Sequence, residues 1–256
     1  MKTVVKFLLG FLTLFSLTCA APLEPSIEAD PELTAGFFEG DIILDTQKNG
    51  LRNKTRRWPD STVFYKFHKG SFDDEHHNHI LRGMQIIEEK SCIRFKEATA
   101  DTKSYVNITG LAGGCYSSVG FLDRVQNYNL QIYDLDSGCF RMGTIVHEFL
   151  HTLGFYHMQS ASDRDDYVRI VEENIITDKM SNFNKYESDF VDEYDEEYDY
   201  GSVLHYSAYA FSQNGEITIE PLKDLEVSTK IMGQRRGMSK SDINKLNTMY
   251  KCPLTV

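Results

Sequence analysis

The stretch “HEFLHTLGFYH”, residues 147–157, contains three histidines and a glutamate at spacings that suggest a metal site. On a helix, His147 and His151 lie four residues apart, so their imidazoles share one face and can bind a single metal ion. A metal held by neutral imidazoles remains a strong Lewis acid toward a bound water, and the neighbouring Glu148 carboxylate can accept that water's proton. The motif therefore predicts metal-assisted hydrolysis.

Gly154 and His157 extend this motif. A residue without a Cβ can end the helix in a left-handed conformation and let the chain double back, so that His157 arrives as a third ligand. In a chain with eight histidines the short H-E-x-x-H pattern can arise by chance. The glycine and the third histidine at fixed offsets make coincidence a far poorer explanation.

The first twenty residues have the composition of a secretory signal peptide. Two lysines precede an apolar run from Phe7 to Leu17, and the small-residue ending “TCA” follows just before Ala21. The run is shorter than the ~20 residues that a membrane-spanning helix requires, and no other stretch approaches that length. We therefore predict a signal peptide over residues 1–20, secretion to the extracellular space, and no membrane anchor.

The chain is acidic, with a formal charge of −11. Residues 1–20 contain two lysines and no acid, so their removal changes the charge to −13. This charge argues against a nucleic acid as partner. Residues 21–48 contain three prolines, seven acids and one base with little periodicity, which is typical of a pro-segment. Without them the remaining chain, residues 49–256, would carry a formal charge of −7.

Part of the excess negative charge lies in “YESDFVDEYDEEYDY”, residues 186–200. Its tyrosines and acids alternate irregularly and follow neither a helical nor a strand period. Such a stretch is typical of a solvated surface loop. The functional alternative is an acidic rim on a cleft, which would favour basic substrates.

Four cysteines remain after Cys19 leaves with the signal peptide: Cys92, Cys115, Cys139 and Cys252. An oxidising compartment favours two disulfides, and the spacing leaves all three connectivities open. A thiolate zinc site is disfavoured because no pair has the close C-x-x-C spacing. The histidines therefore remain the metal candidates.

Two triplets mark acceptor sites for N-linked glycans: “NKT” at Asn53 and “NIT” at Asn107. Such triplets often go unmodified, so the sequence marks the sites without fixing their occupancy.

The folded domain begins near “RRWPDSTVFYKF”, where Val63, Tyr65 and Phe67 alternate as in a half-buried strand. A first helix is predicted after Asp73. Its first turns contain “HHNH”, residues 76–79, whose histidines we expect to be exposed because no ligand flanks them at a defined distance. Further strands are predicted at “CIRFKEA”, “YVNITG” and “NLQIYD” from their β-branched and aromatic residues.

The metal-binding helix is predicted from near Thr144, with Val146, Leu150 and Leu153 as the apolar stripe that packs on the sheet. Its histidines would then face a cleft. A closing helix is predicted in “SKSDINKLNTMY”, residues 239–250. We therefore expect an α+β fold with a mixed sheet and helices above one cleft, and a mostly irregular lower half that ends in a helix.

Together with “DRDDYV”, residues 163–168, and “DYGSVLHY”, residues 199–206, the metal motif resembles the astacin family of zinc endopeptidases, a branch of the metzincins. Four shorter stretches look like landmarks of the same family: “RWP” at 57–59, “CIRF” at 92–95, “CYSSVG” at 115–120 and “YKC” at 250–252. The resemblance covers essentially the whole exported chain. It implies a zincin-like peptidase with a twisted mixed sheet above the cleft and two subdomains.

The resemblance also implies the roles of the site residues. One zinc ion per chain would be bound by His147, His151 and His157, with Glu148 as general base and then general acid. Tyr206 would be an additional zinc ligand that swings away to hydrogen-bond the oxyanion, a charge that appears only in the transition state. Without the resemblance, Tyr206 would be read as a half-buried aromatic residue.

The family pattern further implies disulfides Cys92–Cys252 and Cys115–Cys139. “FFEGD”, residues 37–41, matches the pro-segment signature in which the aspartate coordinates zinc in place of the catalytic water, here Asp41. An acid-rich loop is the alternative for so short a motif. Mature family members begin near residue 49, which implies cleavage of the Lys48–Asn49 bond, and a trypsin-like activator would suit that bond.

Two residues depart from the family pattern. Leu204 stands where the family places a methionine beneath the zinc, and a Met to Leu exchange of similar volume typically costs less than ~1.5 kcal/mol. Met158 stands where many members have a glutamate that pairs with the new N-terminus after activation. A thioether cannot bind an ammonium group in that way, so activation proceeds without the ion pair or another acid, such as Asp163, replaces the glutamate.

The sequence thus favours a secreted, monomeric zinc endopeptidase that is made as a zymogen and cleaves protein or peptide substrates. An extracellular binding protein that retains a zinc site without turnover is the alternative from another class. Loss of Glu148 or Tyr206 would favour it, and both are present. Nothing in the sequence argues for a hydrolase of non-peptide bonds.

Overall fold

The computed structural model describes residues 30–44 and 54–253. The predicted signal peptide, the Lys48–Asn49 bond and Asn53 lie outside these ranges. No helix in the two described ranges is long and apolar enough to cross a membrane.

The upper half is built on a six-stranded mixed sheet with the order β1-β5-β6-β4-β2-β3. All neighbours are parallel except β5 and β6, which are antiparallel. Strand β1, which lies within the predicted pro-segment, forms one edge of the sheet and pairs with β5. The strands are β1 Ile42–Ile43, β2 Thr62–Phe67, β3 Arg94–Glu97, β4 Val106–Thr109, β5 Cys115–Ser118 and β6 Gln126–Leu130.

Two helices pack against each other and against this sheet. Helix α1, Asp74–Lys90, begins where the Asp73 side chain accepts the His76 backbone N–H at 2.9 Å, and it buries Ile80, Met84 and Ile87 along one face. Helix α2, Met142–Leu153, begins two residues before the predicted start and is buried along almost its whole length.

The prediction of exposed histidines in “HHNH” is wrong, because the rings at 76, 77 and 79 are half-buried. The His76 ring contacts the Asp73 carboxylate at 2.7 Å and the Tyr133 carbonyl at 3.0 Å, while the His79 ring contacts the Phe140 carbonyl at 2.9 Å. These histidines join α1 to the loop before α2.

The strand predicted at “NLQIYD” is shifted, because β6 ends at Leu130. Its antiparallel partner β5 begins with the pair Cys115↔Leu130, and the ladder closes with the Gln131 backbone N–H, which donates to the Gly114 carbonyl at 3.3 Å. The Gln131 side chain accepts the backbone N–H groups of Gly113 and Gly114, each at 2.9 Å.

The lower half is mostly irregular chain with short 3₁₀ turns, as expected. Its regular elements are the antiparallel pair β7 Val168–Ile170 and β8 Ile219–Pro221, helix α3 Leu225–Ile231 and helix α4 Lys240–Tyr250. Helix α4 begins with a capping box between Ser239 and Asp242. Both implied disulfides, Cys92–Cys252 and Cys115–Cys139, are present in the structure, and the first connects the end of α4 to the upper half.

The acidic stretch 186–200 contains no helix or strand, but it is not simply a solvated loop. Tyr198 is buried and stacks on Tyr167 with a centroid distance of 4.9 Å. Glu193 pairs with Lys245 of α4 at 2.7 Å. The expectation of a solvated loop is therefore wrong for these residues, because the aromatic rings pack inward and anchor the stretch.

Candidate active site

Helix α2 carries His147, Glu148 and His151, and all three are completely buried. The helix ends at Gly154, which adopts a left-handed φ of 111°, and its N–H bonds the His151 carbonyl. Phe155 then donates its backbone N–H to the Leu150 carbonyl at 3.0 Å. This turn brings His157 back toward the first two histidines, as the sequence predicts.

Each of the three imidazoles is held through its Nδ1 atom. The acceptor is the Val203 carbonyl for His147 at 2.8 Å, the Phe155 carbonyl for His151 at 2.7 Å, and the Glu39 carboxylate for His157 at 2.8 Å. Such contacts assign the proton to Nδ1 and leave Nε2 as the metal-binding atom.

The Nε2 atoms converge with the Asp41 carboxylate. Asp41 lies 3.1 Å from His147 Nε2, 3.3 Å from His157 Nε2 and 3.6 Å from His151 Nε2. One ligand atom from each of these four buried residues lies within 4.8 Å of the others. Asp41 Oδ1 and His157 Nε2 have no hydrogen-bond partner although both are buried, which is expected of atoms reserved for a cation. Three imidazole nitrogens and one carboxylate fit zinc.

The carboxylates and imidazoles of this cluster stabilise one another's charged forms. Burial would raise the pKa of Asp41, but the facing His157 and His147 rings hold it well below its usual range. Burial would likewise lower the pKa of His157, and the Asp41 and Glu39 carboxylates outweigh it, raising the value to about 9. The Asp41 and Glu39 carboxylates therefore suit a centre of positive charge.

Glu148 lies beside the cluster without joining it. It is fully buried, and neither of its carboxylate oxygens has a hydrogen-bond partner in the described structure. Burial raises its pKa well above the usual range, and the neighbouring negative charges of Asp41 and Glu32 act in the same direction. Its lone pairs are free for a proton.

Tyr206 is buried, with 1% of its surface exposed, rather than half-buried as its residue type alone suggests. Its ring centroid lies 4.7 Å from that of His157, and its hydroxyl donates to the Glu39 backbone carbonyl at 2.6 Å. Burial raises its pKa well above the usual range, so the hydroxyl stays protonated and remains a donor.

Glu39 is a site residue that the sequence reasoning missed. Its buried carboxylate accepts hydrogen bonds from His157 Nδ1, from the Ser160 hydroxyl at 3.1 Å and from the Tyr186 hydroxyl at 2.6 Å. Its backbone N–H donates to the Asn182 side chain at 3.1 Å. The sequence feature that could have identified Glu39 is its position inside the motif “FFEGD”.

Glu32, the second residue missed, lies near the start of the described range 30–44. It is 1% exposed and forms a two-pronged ion pair with Arg235, whose Nε lies 2.7 and 2.9 Å from the two carboxylate oxygens. The Thr144 hydroxyl donates to the same carboxylate at 2.6 Å, and Arg141 lies 3.3 Å away. Nothing local distinguishes Glu32 from the other acids of the predicted pro-segment.

The two departures from the family pattern both lie next to the third histidine. The Leu204 carbonyl accepts the Met158 backbone N–H at 3.1 Å, and both side chains line a cavity of about 40 Å³ with His157. The Met158 sulfur faces the Lys245 ammonium at 3.5 Å, and that ammonium binds Glu193. A lysine from α4 therefore occupies the space beside Met158.

Comparison with known proteins places this site in a family. The model of the peptidase family described as Astacin matches residues 50–251. The chain is 45% identical over 229 residues to Seminal metalloprotease 1 of Drosophila melanogaster, covering 88% of this chain and 90% of that protein. It is 41% identical over 219 residues to the human Meprin A subunit beta, covering 84% of this chain but only 30% of that protein.

A solved structure agrees with these matches. High choriolytic enzyme 1, a hatching enzyme zinc-protease from the medaka Oryzias latipes, superposes with a TM-score of 0.69 at 34% identity, over 77% of this chain and 94% of that chain. The chain belongs to the astacin family of zinc metalloendopeptidases. It is a peptidase that acts on protein substrates, its cofactor is one zinc ion, and the expected α+β fold is confirmed.

Proposed function

We propose that the chain is exported as a latent zymogen and becomes a secreted endopeptidase when its pro-segment is removed. The observation that carries this proposal is the position of Asp41, whose carboxylate lies among the Nε2 atoms of His147, His151 and His157. A carboxylate in that place blocks the approach of both water and substrate. The three histidines would be the permanent zinc ligands and Asp41 the ligand of the zymogen.

The proposed boundaries are a signal peptide at residues 1–20, a pro-segment at 21–48 and the peptidase domain at 49–256. A trypsin-like activator would cut after Lys48. We propose a monomer with N-linked glycans at Asn53 and Asn107. Asn107 lies in β4 and is half-buried, while its neighbours Val106 and Ile108 are buried.

In the activated enzyme, Glu148 would accept a proton from the attacking water and later deliver it to the leaving amine. Bound zinc supplies a Lewis acid that polarises the scissile carbonyl and acidifies water. The water's hydroxyl adds to the carbonyl carbon, the C–N bond breaks, and the amine leaves with the proton that Glu148 carries.

Tyr206 would act on the charge that develops during this addition. Once Glu39 has left, the Tyr206 hydroxyl has no carbonyl of the pro-segment to bind and can donate to the oxyanion. The Tyr206 ring is packed against His157 and Phe211, so its hydroxyl is held close to the reacting carbonyl. The side chain therefore loses little conformational entropy when the substrate binds.

The proposal is tested by proteolysis of a denatured general protein substrate by the chain processed at Lys48. Cleavage should disappear with a zinc chelator, return on addition of zinc, and be absent in Glu148→Gln, which keeps the shape of the side chain but removes the base. Cleavage that survives in Glu148→Gln would contradict the assigned role. The match to Seminal metalloprotease 1 supports male reproductive fluid as the first setting in which to look for the protein.

A further inference from the structure

We infer that Tyr194 is a site of O-sulfation, and that the sulfate ester it carries binds the Arg57 side chain. Because this modification is made in the secretory pathway, the inference rests on the proposed export and adds a covalent modification to it. Tyr194 lies in the acidic stretch 186–200, to which the proposed catalytic steps assign no role.

The residues around Tyr194 carry a high density of negative charge. Residues 192–199 read “DEYDEEYD”, with six acids and no base, and five of these acids lie within three positions of Tyr194. An enzyme that sulfates tyrosines in secreted proteins binds the acids around its target through a basic substrate site, because opposite charges steer and hold the segment there. The sequence therefore offers Tyr194, Tyr198 and Tyr200 as acceptors.

The structure separates Tyr194 from the other two tyrosines by what their hydroxyls contact. Tyr198 is buried, and its hydroxyl lies 2.6 Å from His205 Nε2. The Tyr200 hydroxyl donates to the Tyr167 carbonyl at 2.5 Å. Sulfation of either tyrosine would remove the hydroxyl proton and leave a buried acceptor without its donor. The fold therefore favours Tyr194 as the acceptor.

Arg57 is the cation that faces the Tyr194 hydroxyl. Its Nη2 donates to the hydroxyl oxygen at 3.4 Å, which is long for a hydrogen bond between nitrogen and oxygen. Its Nε is completely buried and has no hydrogen-bond partner among the described residues. A buried guanidinium nitrogen without an acceptor is unfavourable. A sulfate ester would bring three acceptor oxygens and a negative charge to this place, and a guanidinium binds such an oxoanion through paired N–H groups.

Tyr194 lies at the tip of a turn that an enzyme can open. The Glu196 N–H donates to the Glu193 carbonyl at 3.0 Å, and Tyr194 and Asp195 have left-handed φ values of 53° and 61°. Neither residue is glycine, so the turn stores backbone strain that favours local opening. Asp195 and Glu197 are exposed, while the Tyr194 side chain is half-buried. Opening of the turn would present the hydroxyl to a transferase, and its closure would return the ester to Arg57.

The transfer is balanced and involves no oxidation. The Tyr194 oxygen attacks the sulfur of a nucleotide sulfonate donor, in which a bridging oxygen joins the sulfonate to a phosphate. The new O–S bond forms as the bond between sulfur and the bridging oxygen breaks. The nucleotide leaves with the bridging oxygen on its phosphate, and the phenol proton passes to a base of the transferase. A neutral hydroxyl thereby becomes a group with a permanent negative charge.

The sulfate would join the acidic stretch to the segment before β2. Arg57 precedes Trp58, which is buried and whose indole N–H donates to the Thr152 carbonyl of α2 at 2.9 Å. On the other side of the turn, Glu193 pairs with Lys245 of α4 at 2.7 Å. The modified turn would thus be anchored from two sides, and we expect the sulfated chain to unfold at a higher temperature than the unmodified chain.

The first test is mass spectrometry of the full chain collected from the medium of cultured cells. Wild type should carry the mass of one sulfonate, and chlorate, which blocks synthesis of the donor, should abolish it. The modification should be absent in Tyr194→Phe and present in Tyr200→Phe, the matched control in the same stretch. Secreted wild type without a sulfonate would overturn the inference, as would a sulfonate that remains in Tyr194→Phe or a phosphate in its place.

The second test separates the inference from the proposed export. Purified full chain is incubated with a tyrosine sulfotransferase from Golgi membranes and a radiolabelled sulfonate donor. Wild type and Arg57→Gln should take up label, and Tyr194→Phe should take up none. A chain that cells retain but that is labelled here would contradict the proposed export and support the inference. Absence of label in folded wild type would overturn it.

The third test measures the contact with Arg57 by thermal unfolding of sulfated and unsulfated chains. Sulfation should raise the unfolding midpoint of wild type by about 2 °C or more. The rise should vanish in Arg57→Gln, because the substitution removes the cation that the ester binds. An equal rise in wild type and Arg57→Gln, or no rise in wild type, would overturn the assignment of Arg57 as the partner of the sulfate.

Discussion

The Tyr206 hydroxyl donates a 2.6 Å hydrogen bond to the backbone carbonyl of Glu39, so the proposed pro-segment holds the hydroxyl that we assign to stabilising the oxyanion. In Tyr206→Phe, the processed enzyme should lose about a hundredfold in kcat with little change in KM, because the contact strengthens only in the transition state. Steady-state kinetics on a quenched fluorescent peptide measures this. Tyr209→Phe removes a hydroxyl from the same loop and should leave kcat unchanged. A rise in KM alone would contradict the assigned role.

Asp41→Ala should abolish latency of the full chain. It removes the carboxylate that lies among the three imidazoles, and the site then opens to water while the rest of the pro-segment stays attached. The measurement is peptide hydrolysis by the uncleaved chain, with its length verified by mass spectrometry. Thr34→Ala, which alters an exposed position of the same segment, should remain latent. A latent Asp41→Ala would mean that Glu32 and Glu39 alone keep the cleft closed.

Leu204→Met should change the free energy of unfolding by less than ~1.5 kcal/mol, because the two side chains have similar volumes. Leu204 is buried at 4% exposure beside His157, so the rate of zinc release is the property most sensitive to its packing. We expect wild type to hold stoichiometric zinc and to release it somewhat faster than Leu204→Met. Zinc content by atomic emission and release to a chromogenic chelator test this. If wild type held less than one zinc ion per chain and Leu204→Met restored the full content, side-chain volume would not be what controls zinc retention.

Activity should depend little on the length of the mature N-terminus. The space beside Met158 is taken by the Lys245 ammonium, which already has a carboxylate partner in Glu193. Variants that begin one residue before or after Asn49 should therefore differ in kcat/KM by less than about twofold, because no new ion pair depends on their position. A steep dependence on length would require another carboxylate, with Asp163 the first to be replaced by asparagine.

The stability of the unprocessed chain should fall in acid partly through Glu32. Burial would raise the pKa of Glu32, but the Arg235 guanidinium outweighs it and holds the pKa below the ordinary value of 4.5. A lowered pKa in the folded state means that the ionised pair contributes stability above pH 4.5, and that this contribution is lost as the pH falls toward the lowered value. Glu32→Gln should thus be less stable than wild type at pH 7, and the difference should shrink below pH 4.5. Thermal unfolding at several pH values measures it, and a constant difference would contradict the linkage.

The parts of the site that the sequence predicts are those set by local spacing. His147 and His151 need only helical geometry to share a face, with Glu148 beside them, and Gly154 needs only its left-handed φ to return His157 to them. The main helices follow from the same kind of periodicity. These features depend on residues within about ten positions of one another.

The parts that could not be predicted depend on distant residues. Glu32 and Arg235 are 203 residues apart, and no local pattern marks either of them. The histidines of “HHNH” are half-buried because the 133–140 loop folds onto them, and β6 ends at Leu130 because β5 begins opposite it. Tertiary packing overrides residue type at each of these places.

The disulfide between Cys92 and Cys252 also sets an order of events during synthesis. Its cysteines are 160 residues apart, so at ribosomal rates of 5–20 residues per second Cys92 waits as a thiol for roughly 8 to 30 s. Cys115 and Cys139, only 24 residues apart, emerge within that interval and can pair first. A waiting thiol can attack an existing disulfide. Because Cys115 and Cys139 are completely buried in the finished fold, early closure of the upper half would shield them from Cys92 until its partner is made.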